Sequence, residues 1–525
     1  MGTPKTKWFT IILIFGLFLL ALSGVVHWMI TPMITNRVLD AEYIGYDKNG
    51  SYNHMTQSWA TPAYEMKLEI YLFNVVNPAE VIKGARPNLT EKGPYTFIEK
   101  QSKKFNISGD RQRVVYKNNH LYYFSESHSC PTCLLDDKVT VPNILLQKLV
   151  DYAGTSTVLR FAIETLAKIE NETAFITVRV GDLLFDGYKD TLITNICNKP
   201  LIKPICKSLD VPDKIGIFYG QNNTEDGAYE IDTGLKDHAF IGKVYSWNNM
   251  TSLPNTTWYG PRAREIRGTD GQLFKPFLQQ NEVLSIFVTQ VCRVVEMQVK
   301  SQGEFRNIKT FNYEPADSMN NITLQKLLGF CNPDAPRFFD DVLVQPKNCS
   351  PVGLMDISSC NPAKARIYIS QPYFYNCPAA LHLAVDGLRP PTEDDRTFVQ
   401  IEPTAGVVVR AIRKSQLNLG VVKGNIQFLS QMKDTIIPML WLNETALIDP
   451  DTENMIHQLS SVMKILPMIV ICALAVGGFC FIGGVAAIVV SNCMTTTDVP
   501  LLSEEDDEVE ETSIPIINAS TNEVH

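Results

Sequence analysis

Two long uncharged segments constrain this chain more than any other feature. Trp8–Ile30 has 23 residues without a formal charge, and Ile465–Val490 has 26. A bilayer core needs about 20 helical residues, so both are long enough to span a membrane. A cleaved signal peptide is the alternative for the first, but the apolar part of such peptides runs about 7–15 residues. The sequence therefore predicts a two-pass hairpin with these segments: cytosolic 1–7, transmembrane 8–30, ectodomain 31–464, transmembrane 465–490 and cytosolic tail 491–525.

The flanking residues predict the orientation of the hairpin. Lys5 and Lys7 precede the first span, while Arg37 is the first basic residue after it, which favours a cytosolic N-terminus. Between the spans lie ten N-x-S/T sequons, a number typical of a glycosylated lumenal or extracellular region. Asn518 fits the pattern too, but this topology leaves it bare in the cytosol. The ten candidate glycosylation sites are Asn49, Asn88, Asn106, Asn171, Asn222, Asn249, Asn255, Asn321, Asn348 and Asn443.

Charge and composition exclude several functional classes. The chain has 47 basic and 56 acidic residues, and nine of the acids lie in residues 491–525. The rest is balanced, so the basic footprint of a nucleic-acid-binding protein is absent. Hydrophobic residues make up 45%, which excludes global disorder. The sequence contains no G-x-S-x-G, H-E-x-x-H or G-x-x-x-x-G-K-S/T motif, so it predicts neither an enzyme nor a cofactor.

Nine cysteines between the spans indicate disulfides in an oxidising compartment, with at least one left unpaired. Cys130-Pro131-Thr132-Cys133 favours a local disulfide, because structural zinc needs four ligands and no second C-x-x-C is present. Cys197 and Cys206 form a second candidate pair. Cys493 directly follows the second span, where it is either a palmitoylation site or an inert thiol. The nine are Cys130, Cys133, Cys197, Cys206, Cys292, Cys331, Cys349, Cys360 and Cys377.

Strand signals dominate the ectodomain. Leu68, Ile70 and Leu72 alternate with polar residues, and four further stretches are rich in β-branched residues: Val283–Val288, Arg293–Val299, Val407–Ile412 and Leu417–Val422. Apolar residues at helical spacing predict two consecutive helices, Val141–Tyr152 and Val158–Ile169. The local patterns therefore predict an antiparallel β core with a helical insertion.

A set of short motifs in a fixed order resembles the class B scavenger receptor family. Each is weak alone, but the ordered set extends over roughly residues 70–445. The motifs are Tyr71–Pro78, Gly93–Tyr95, Gly187–Asp190, Asn222–Gly227, Gly268–Gly271, Ile401–Gly406 and Pro438–Thr445.

The resemblance implies a fold and a function. The fold is an α+β ectodomain with an antiparallel β-barrel-like core, an apical helical bundle at about 139–175, and an internal hydrophobic tunnel. The function is a scavenger-type receptor that binds fatty acids, sterols, phospholipid and lipoprotein-like particles and moves lipid through the tunnel. The resemblance also implies the disulfides Cys292–Cys360 and Cys331–Cys349. Cys377 is then the cysteine without a disulfide partner.

The helical pair is where the family binds its ligands. Leu145, Leu149, Leu159, Phe161 and Ile163 form either an exposed apolar cap or the packing between the two helices. Lys168 falls close to a family lysine implicated in fatty-acid contact, and an ammonium pairs with a carboxylate. The lysosomal branch is thought to sense pH with an apical histidine, but 155–161 contains none, which disfavours acid-triggered release of a hydrolase.

Residues 197–207 form a cationic segment, with Lys199, Lys203 and Lys207 at four-residue spacing and no acid. It is either an accessory site for anionic lipid or a solvated loop closed by the candidate Cys197–Cys206 disulfide.

The tail contains Asp498-Val499-Pro500-Leu501-Leu502, which resembles the D-x-x-L-L motif that clathrin adaptors bind. The alternative is a merely solvated acidic tail. Together, the family resemblance and the tail motif predict a lipid receptor that cycles between the plasma membrane and endolysosomes. The main alternative is an endolysosomal resident that sorts hydrolases or exports lipid, and a third is pure adhesion. The second span contains the glycine pairs 477–478 and 483–484, and glycines allow close contact between membrane helices. The sequence therefore leaves open whether the protein forms a homo-oligomer.

Overall fold

The computed structural model describes residues 4–190, 213–316, 325–331, 338, 349–361 and 364–495. The chain divides into two compact units, one formed by Met1–Met33 with Val462–His525 and the other by Ile34–Ser461. Two helical stretches are long and apolar enough to cross a membrane, and the predicted spans 8–30 and 465–490 lie inside them. Both stretches are longer than predicted: one comprises α1 (Pro4–Val25), a π-helical turn (Val26–Ile30) and α2 (Thr31–Ala41), and the other is α8 (Pro450–Thr495).

Glycines allow α1 and α8 to pack closely. A Cβ at Gly16 would lie 2.6 Å from the backbone nitrogen of Phe481, and one at Gly484 would lie 2.9 Å from Cβ of Leu13. Small residues at such positions let helix backbones approach each other in a membrane. The second span therefore uses a glycine of the 483–484 pair for contact within this chain.

Thirteen strands of the described ectodomain form one antiparallel sheet. Their order is β7-β6-β3-β2-β1-β15-β14-β13-β10-β9-β8, with β12 joined to β14 and β11 to β12. The strands are β1 (Glu65–Val75), β2 (Leu89–Ile107), β3 (Arg113–Phe124), β6 (Thr224–Asp232), β7 (Val244–Trp247), β8 (Leu284–Val288), β9 (Arg293–Phe305), β10 (Ile308–Pro315), β11 (Met355–Asp356), β12 (Ile367–Ser370), β13 (Phe398–Glu402), β14 (Val407–Val421) and β15 (Thr435–Leu447). The predicted strands 407–412 and 417–422 are thus parts of one long strand, β14.

The two ends of this sheet meet at a short seam, so the sheet is a nearly closed barrel. Val244 of β7 donates its N–H to the carbonyl of Gly268 at 2.8 Å. The neighbouring Thr269 donates to Ser285 of β8 at 2.9 Å and accepts from Phe287 at 2.8 Å. Closing a sheet in this way removes the unpaired edges that would otherwise be exposed.

Alternation along β2 identifies the inner face of the barrel. Lys100, Ser102 and Lys104 are exposed, whereas Glu99 and Lys103 are buried and Gln101 is half-buried. Because side chains alternate between the faces of a strand, the odd-numbered residues point inward. The register carries this assignment across the sheet: Glu99 is opposite Tyr122, Phe97 is opposite Leu68, and Leu68 is opposite Glu444.

Five shorter helices and a small hairpin complete the ectodomain. In the hairpin, β4 (Lys138–Pro142) pairs with β5 (Phe175–Arg179) and brackets the two predicted helices. The first of these was predicted to begin at Val141, which is wrong because that residue lies in β4 and Asn143 caps the helix, accepting from the N–H of Leu146 at 3.0 Å. The helices are α3 (His54–Ala60), α4 (Pro78–Ile82), α5 (Ile144–Ala153), α6 (Thr157–Ile169) and α7 (Ala379–Leu383).

Candidate functional site

One face of α6 exposes apolar side chains. Val158 is 79% exposed, Phe161 71% and Ile169 62%. Together with exposed Thr165 and Lys168 they fall at the spacing of one helix face. Side chains of this size on a helix surface mark a candidate contact surface for an apolar partner. We call these five residues the α6 patch.

The opposite side of α6 anchors the helix to the ectodomain. Ile163 and Ala167 are buried, and the Glu164 carboxylate accepts the N–H of Gln427 at 2.6 Å. Of the predicted apical residues, Leu145 is buried and Leu149 is partly buried against the core, as the packing alternative expects. A role of either residue in ligand binding remains a prediction. Phe161 alone of that predicted set is strongly exposed.

Inside the barrel, polar side chains form a layer that we call the polar belt. Its members come from five strands, and hydrogen bonds or charge–charge interactions link them across the inner face. They are Glu99, Gln101 and Lys103 of β2, His120 and Tyr122 of β3, Asp226 of β6, Arg413 of β14 and Glu444 of β15.

The polar belt lies between two hydrophobic clusters. On β2, Phe97 belongs to one cluster and Phe105 packs against the other, with the belt residues between them. On β3, Phe124 packs against the first cluster and Tyr116 belongs to the second. Along β2 and β3 the inner face is thus apolar on either side of the belt. The hydrophobic tunnel that the resemblance implies remains a prediction.

Hydrogen bonds fix the charges of the belt around His120. The Nδ1 atom of its imidazole is 2.6 Å from Glu99 Oε1, and Nε2 is 3.4 Å from Asp226 Oδ2. Burial lowers the pKa of His120, but the hydrogen bonds to Asp226 and Glu99 outweigh it and raise the pKa to about 9. His120 is therefore a cation at neutral pH, and its Nδ1–H donates to Glu99.

Arg413 and Glu444 face each other in neighbouring strands and form an ion pair. Their neighbours in the belt are Glu99, His120 and Tyr122, which act on the pKa of one or both groups. The Arg413 side chain is nevertheless 48% exposed. Because it points inward, its accessible surface faces space inside the barrel.

Apolar residues line the same interior space. Leu442 lies two residues from Glu444 on the same face of β15, and Leu417 of β14 is opposite Leu440. Leu442 and Leu417 are only partly buried, although β14 and β15 have paired neighbours on both sides. The inward surface that they expose lies next to the polar belt. The barrel interior is therefore amphipathic.

The structure has disulfides at three of the predicted pairs. Cys130–Cys133, Cys292–Cys360 and Cys331–Cys349 have S–S distances of 1.97, 2.07 and 1.97 Å. Cys377 is unpaired and burial raises the pKa of its thiol to about 12, so it is unreactive at neutral pH. Cys493 is an exposed free thiol near the end of α8 and remains a predicted palmitoylation site.

Eight of the ten sequons lie within the described residues. Asn443 is half-buried, and its amide donates to Glu69 at 2.6 Å. The other seven are exposed: Asn49, Asn88, Asn106, Asn171, Asn222, Asn249 and Asn255. Glycosylation at all ten remains a prediction.

Several predicted site residues lie outside the described part of the chain. They are Cys197, Lys199, Lys203, Cys206, Lys207, Asn321, Asn348, Asp498, Leu501 and Leu502. Within the described residues, no group of three His, Cys, Asp or Glu side chains is placed to hold a metal ion.

Comparison with known proteins identifies the family. The model of the CD36 family matches residues 14–488. This chain belongs to the CD36 family. Lysosome membrane protein 2 of Mus musculus is 30% identical over 427 residues, which cover 80% of this chain and 83% of that protein. Scavenger receptor class B member 1 of Sus scrofa is 29% identical over 470 residues, covering 88% and 86%.

Membership of the CD36 family agrees with the architecture. The relatives are lysosomal membrane proteins and scavenger receptors, and the two candidate membrane helices fit a two-pass topology. The ectodomain between them is the β-rich, nearly closed barrel described above.

For this CD36-family chain, sequence reasoning missed the polar belt and three members of the α6 patch, namely Val158, Thr165 and Ile169. Val158 and Ile169 are the ends of a predicted helix, where exposed apolar residues are not expected from periodicity. The sequence contains one signal for the belt: polar residues stand at every second position of β2, at Glu99, Gln101 and Lys103. Their outward neighbours are equally polar, so the signal does not indicate which set is inside.

Proposed function

We propose that this protein is a two-pass receptor that binds lipid in the interior of its barrel and exchanges it with membranes or lipoprotein-like particles. The observation that carries the proposal is the accessible inward surface of Leu417, Leu442 and Arg413 on two central strands. A lipid has an apolar body and a polar head, and this interior offers apolar side chains next to hydrogen-bonding ones. The scavenger receptor relatives support a lipid or lipoprotein ligand.

The α6 patch supports the first contact with such a ligand. Phe161 and Val158 offer apolar surface, and Lys168 offers an ammonium that pairs with a carboxylate or phosphate. Hydrophobic contact and one cation suit an amphiphile better than a strongly anionic particle, which would need several cations.

Filling the interior tests the proposal. Leu442→Trp adds volume on the inward face, and Ser102→Trp adds the same indole to an exposed outward position of β2. Both full-length variants are loaded with a fluorescent fatty acid and with a fluorescent sterol, and bound lipid per protein is measured. We expect a several-fold loss of bound lipid for Leu442→Trp and wild-type binding for Ser102→Trp. Equal binding by both variants, with unchanged thermal stability, would exclude the barrel interior as the binding site.

The lysosome membrane relatives favour one alternative, a resident endolysosomal protein that sorts hydrolases or exports lipid. The receptor would act at the cell surface, whereas the resident protein would act in endosomes and lysosomes. Lipid uptake at the cell surface would be a property of the receptor, whereas reduced lysosomal hydrolase content on its loss would indicate the sorting role.

A further inference from the structure

Arg293, the first residue of β9, is a buried cation with an incomplete set of partners. It is 5% exposed, and its guanidinium lies over the ring of Phe330 at 3.8 Å from the centroid. Its Nε–H is buried and has no hydrogen-bond partner, and within the described part of the chain its guanidinium forms no ion pair. A buried charge without hydrogen-bond acceptors costs several kcal/mol unless something else supplies them.

Among the described residues around Arg293, cations outnumber acids. Its guanidinium shares a small pocket with Arg262, Arg267 and Glu296. Glu296 is the acid among the described lining residues, and it already accepts from Arg267 at 3.0 Å. Arg267 also donates to Glu265 at 3.1 Å, so its charge is satisfied. Arg262 and Arg293 have no such carboxylate among the described residues.

Arg293 keeps its charge under physiological conditions. Burial lowers its pKa to about 10, and Glu296 opposes that shift. A pKa of about 10 still leaves the guanidinium protonated at the pH of any cellular compartment. The site cannot remove the imbalance by losing a proton.

The size of the pocket limits what it can hold. Its volume is about 20 Å³, and Leu327 and Phe330 form its apolar side. That space is sufficient for a small monatomic anion such as chloride. A single small anion would accept from Arg293 and also neutralise charge, whereas water would only accept.

We propose that this pocket binds one small monovalent anion, with chloride as the physiological candidate, between Arg262 and Arg293. The anion fastens the 3-10 helix Gln325–Phe330 to the start of β9, at a point between two disulfides. Cys292 directly precedes Arg293 and pairs with Cys360, while Cys331 directly follows Phe330 and pairs with Cys349. The proposed anion therefore stabilises this junction of the ectodomain, independently of lipid binding.

Thermal unfolding of the full-length protein in detergent tests the site. Gluconate, an organic anion much bulkier than chloride, is replaced stepwise by chloride at a constant ionic strength of about 0.1 M, so that screening stays fixed. We expect a saturable rise in Tm of about 2 °C or more, because a ligand that binds only the folded state stabilises it. Arg293→Met should abolish the rise. Arg410→Met is the matched control, since Arg410 also lies over aromatic rings, those of Phe305 and Phe398. It should keep the rise.

Equal Tm values of the wild type in gluconate and chloride would overturn the proposal, as would an undiminished chloride response of Arg293→Met. If Arg293→Met fails to fold, crystals of the wild-type protein grown in bromide decide the matter. An anomalous peak beside the Arg293 guanidinium supports the site. Water density there, without an anomalous peak, overturns it.

Discussion

His120 is the residue whose chemistry the fold changes most clearly. Its imidazole lies between two carboxylates on the inner face of the barrel, with its side chain 16% exposed. The partner Glu99 shows the reciprocal effect: burial raises the pKa of its carboxyl, but the hydrogen bond and charge of His120, together with Gln101 and Arg413, outweigh this and lower it. Both shifts favour the charged pair, so the pair stabilises the folded state when both groups are ionised.

The pH dependence of this pair gives the first prediction. His120 has a folded pKa of about 9, above its ordinary value of about 6.5. Its contribution is therefore complete below about pH 6.5 and is lost as the pH rises through about 9. His120→Gln should lower the free energy of unfolding by about 2–3 kcal/mol at about pH 6 and by much less above pH 9. Denaturant unfolding at both pH values measures this, with His128→Gln, an exposed histidine, as control. A pH-independent penalty would contradict the assignment.

The polar belt shows where prediction from single residues fails. Glu99, Gln101 and Lys103 are inside the barrel, while Lys100, Ser102 and Lys104 are outside, and both sets are polar. The alternation of burial along β2 assigns the faces, and the register, which places Glu99 next to Met66 and opposite Tyr122, extends the assignment to the neighbouring strands. The cysteines behave differently, because the family resemblance was enough to anticipate the pairs Cys292–Cys360 and Cys331–Cys349.

At the level of elements, the seam at Gly268 closes the barrel. Gly268 has a φ of +89°, and a Cβ there would lie 2.1 Å from the carbonyl oxygen of Ser285, which accepts the seam hydrogen bond. Both the backbone conformation and the space require glycine. The seam therefore depends on a residue that the sequence shows only as part of a family motif.

Gly268→Ala should destabilise the barrel by more than about 1 kcal/mol and expose β8. Gly271→Ala is the matched control, because Gly271 has a similar φ of +85° but its Cβ would meet only the Ile286 side chain, at 3.1 Å. Thermal unfolding and hydrogen exchange of β8 measure the effect. If both alanine variants lose the same stability, positive φ alone explains the loss and the close contact at the seam has no separate role.

The α6 patch gives a prediction about binding without a change in stability. Phe161→Ser removes exposed apolar surface, so its unfolding free energy should stay within about 0.5 kcal/mol of wild type. If Phe161 is buried by a bound lipid particle, its loss should weaken binding by roughly 10–100-fold. Lys168→Ala should weaken fatty-acid binding more than sterol binding, because only the fatty acid loses a charge partner. Titration with the two lipids checks both variants, and unchanged affinities would remove the patch from the binding surface.

Element boundaries were predictable where the pattern was uniform. Helix α6 begins one residue before the predicted Val158–Ile169, because Ser156 caps it and accepts from Leu159 at 3.3 Å. Strand β14 was predicted as two pieces because Arg413–Gln416 interrupts its apolar pattern. Those residues are polar because Arg413 belongs to the belt and Gln416 forms buried hydrogen bonds, for example to Asn418 at 2.8 Å. A local sequence pattern cannot show that polar residues in the middle of a strand are held by partners on other strands.

At the scale of the whole molecule, trafficking and topology remain predictions. A variant of the tail motif tests the trafficking, and an epitope in the tail tests the topology. Leu501→Ala with Leu502→Ala removes two apolar anchors of roughly 1.5–3 kcal/mol each from a contact with a clathrin adaptor. We expect the protein to accumulate at the cell surface with normal glycosylation, and Asp498→Asn to shift it less. Surface labelling and microscopy measure the distribution. An unchanged distribution would leave the tail motif without a role, and a tail epitope accessible on intact cells would contradict the two-pass topology.

The central claim is that lipid occupies the inside of the barrel, and photo-crosslinking tests it most directly. The full-length protein in a bilayer is incubated with a fatty acid and with a sterol that each carry a diazirine, irradiated, digested and mapped by mass spectrometry. The account predicts labels on the inward residues Leu417 and Leu442, and their loss when unlabelled lipid competes. Labels confined to the α6 patch and the membrane helices, with none on β14 or β15, would contradict it.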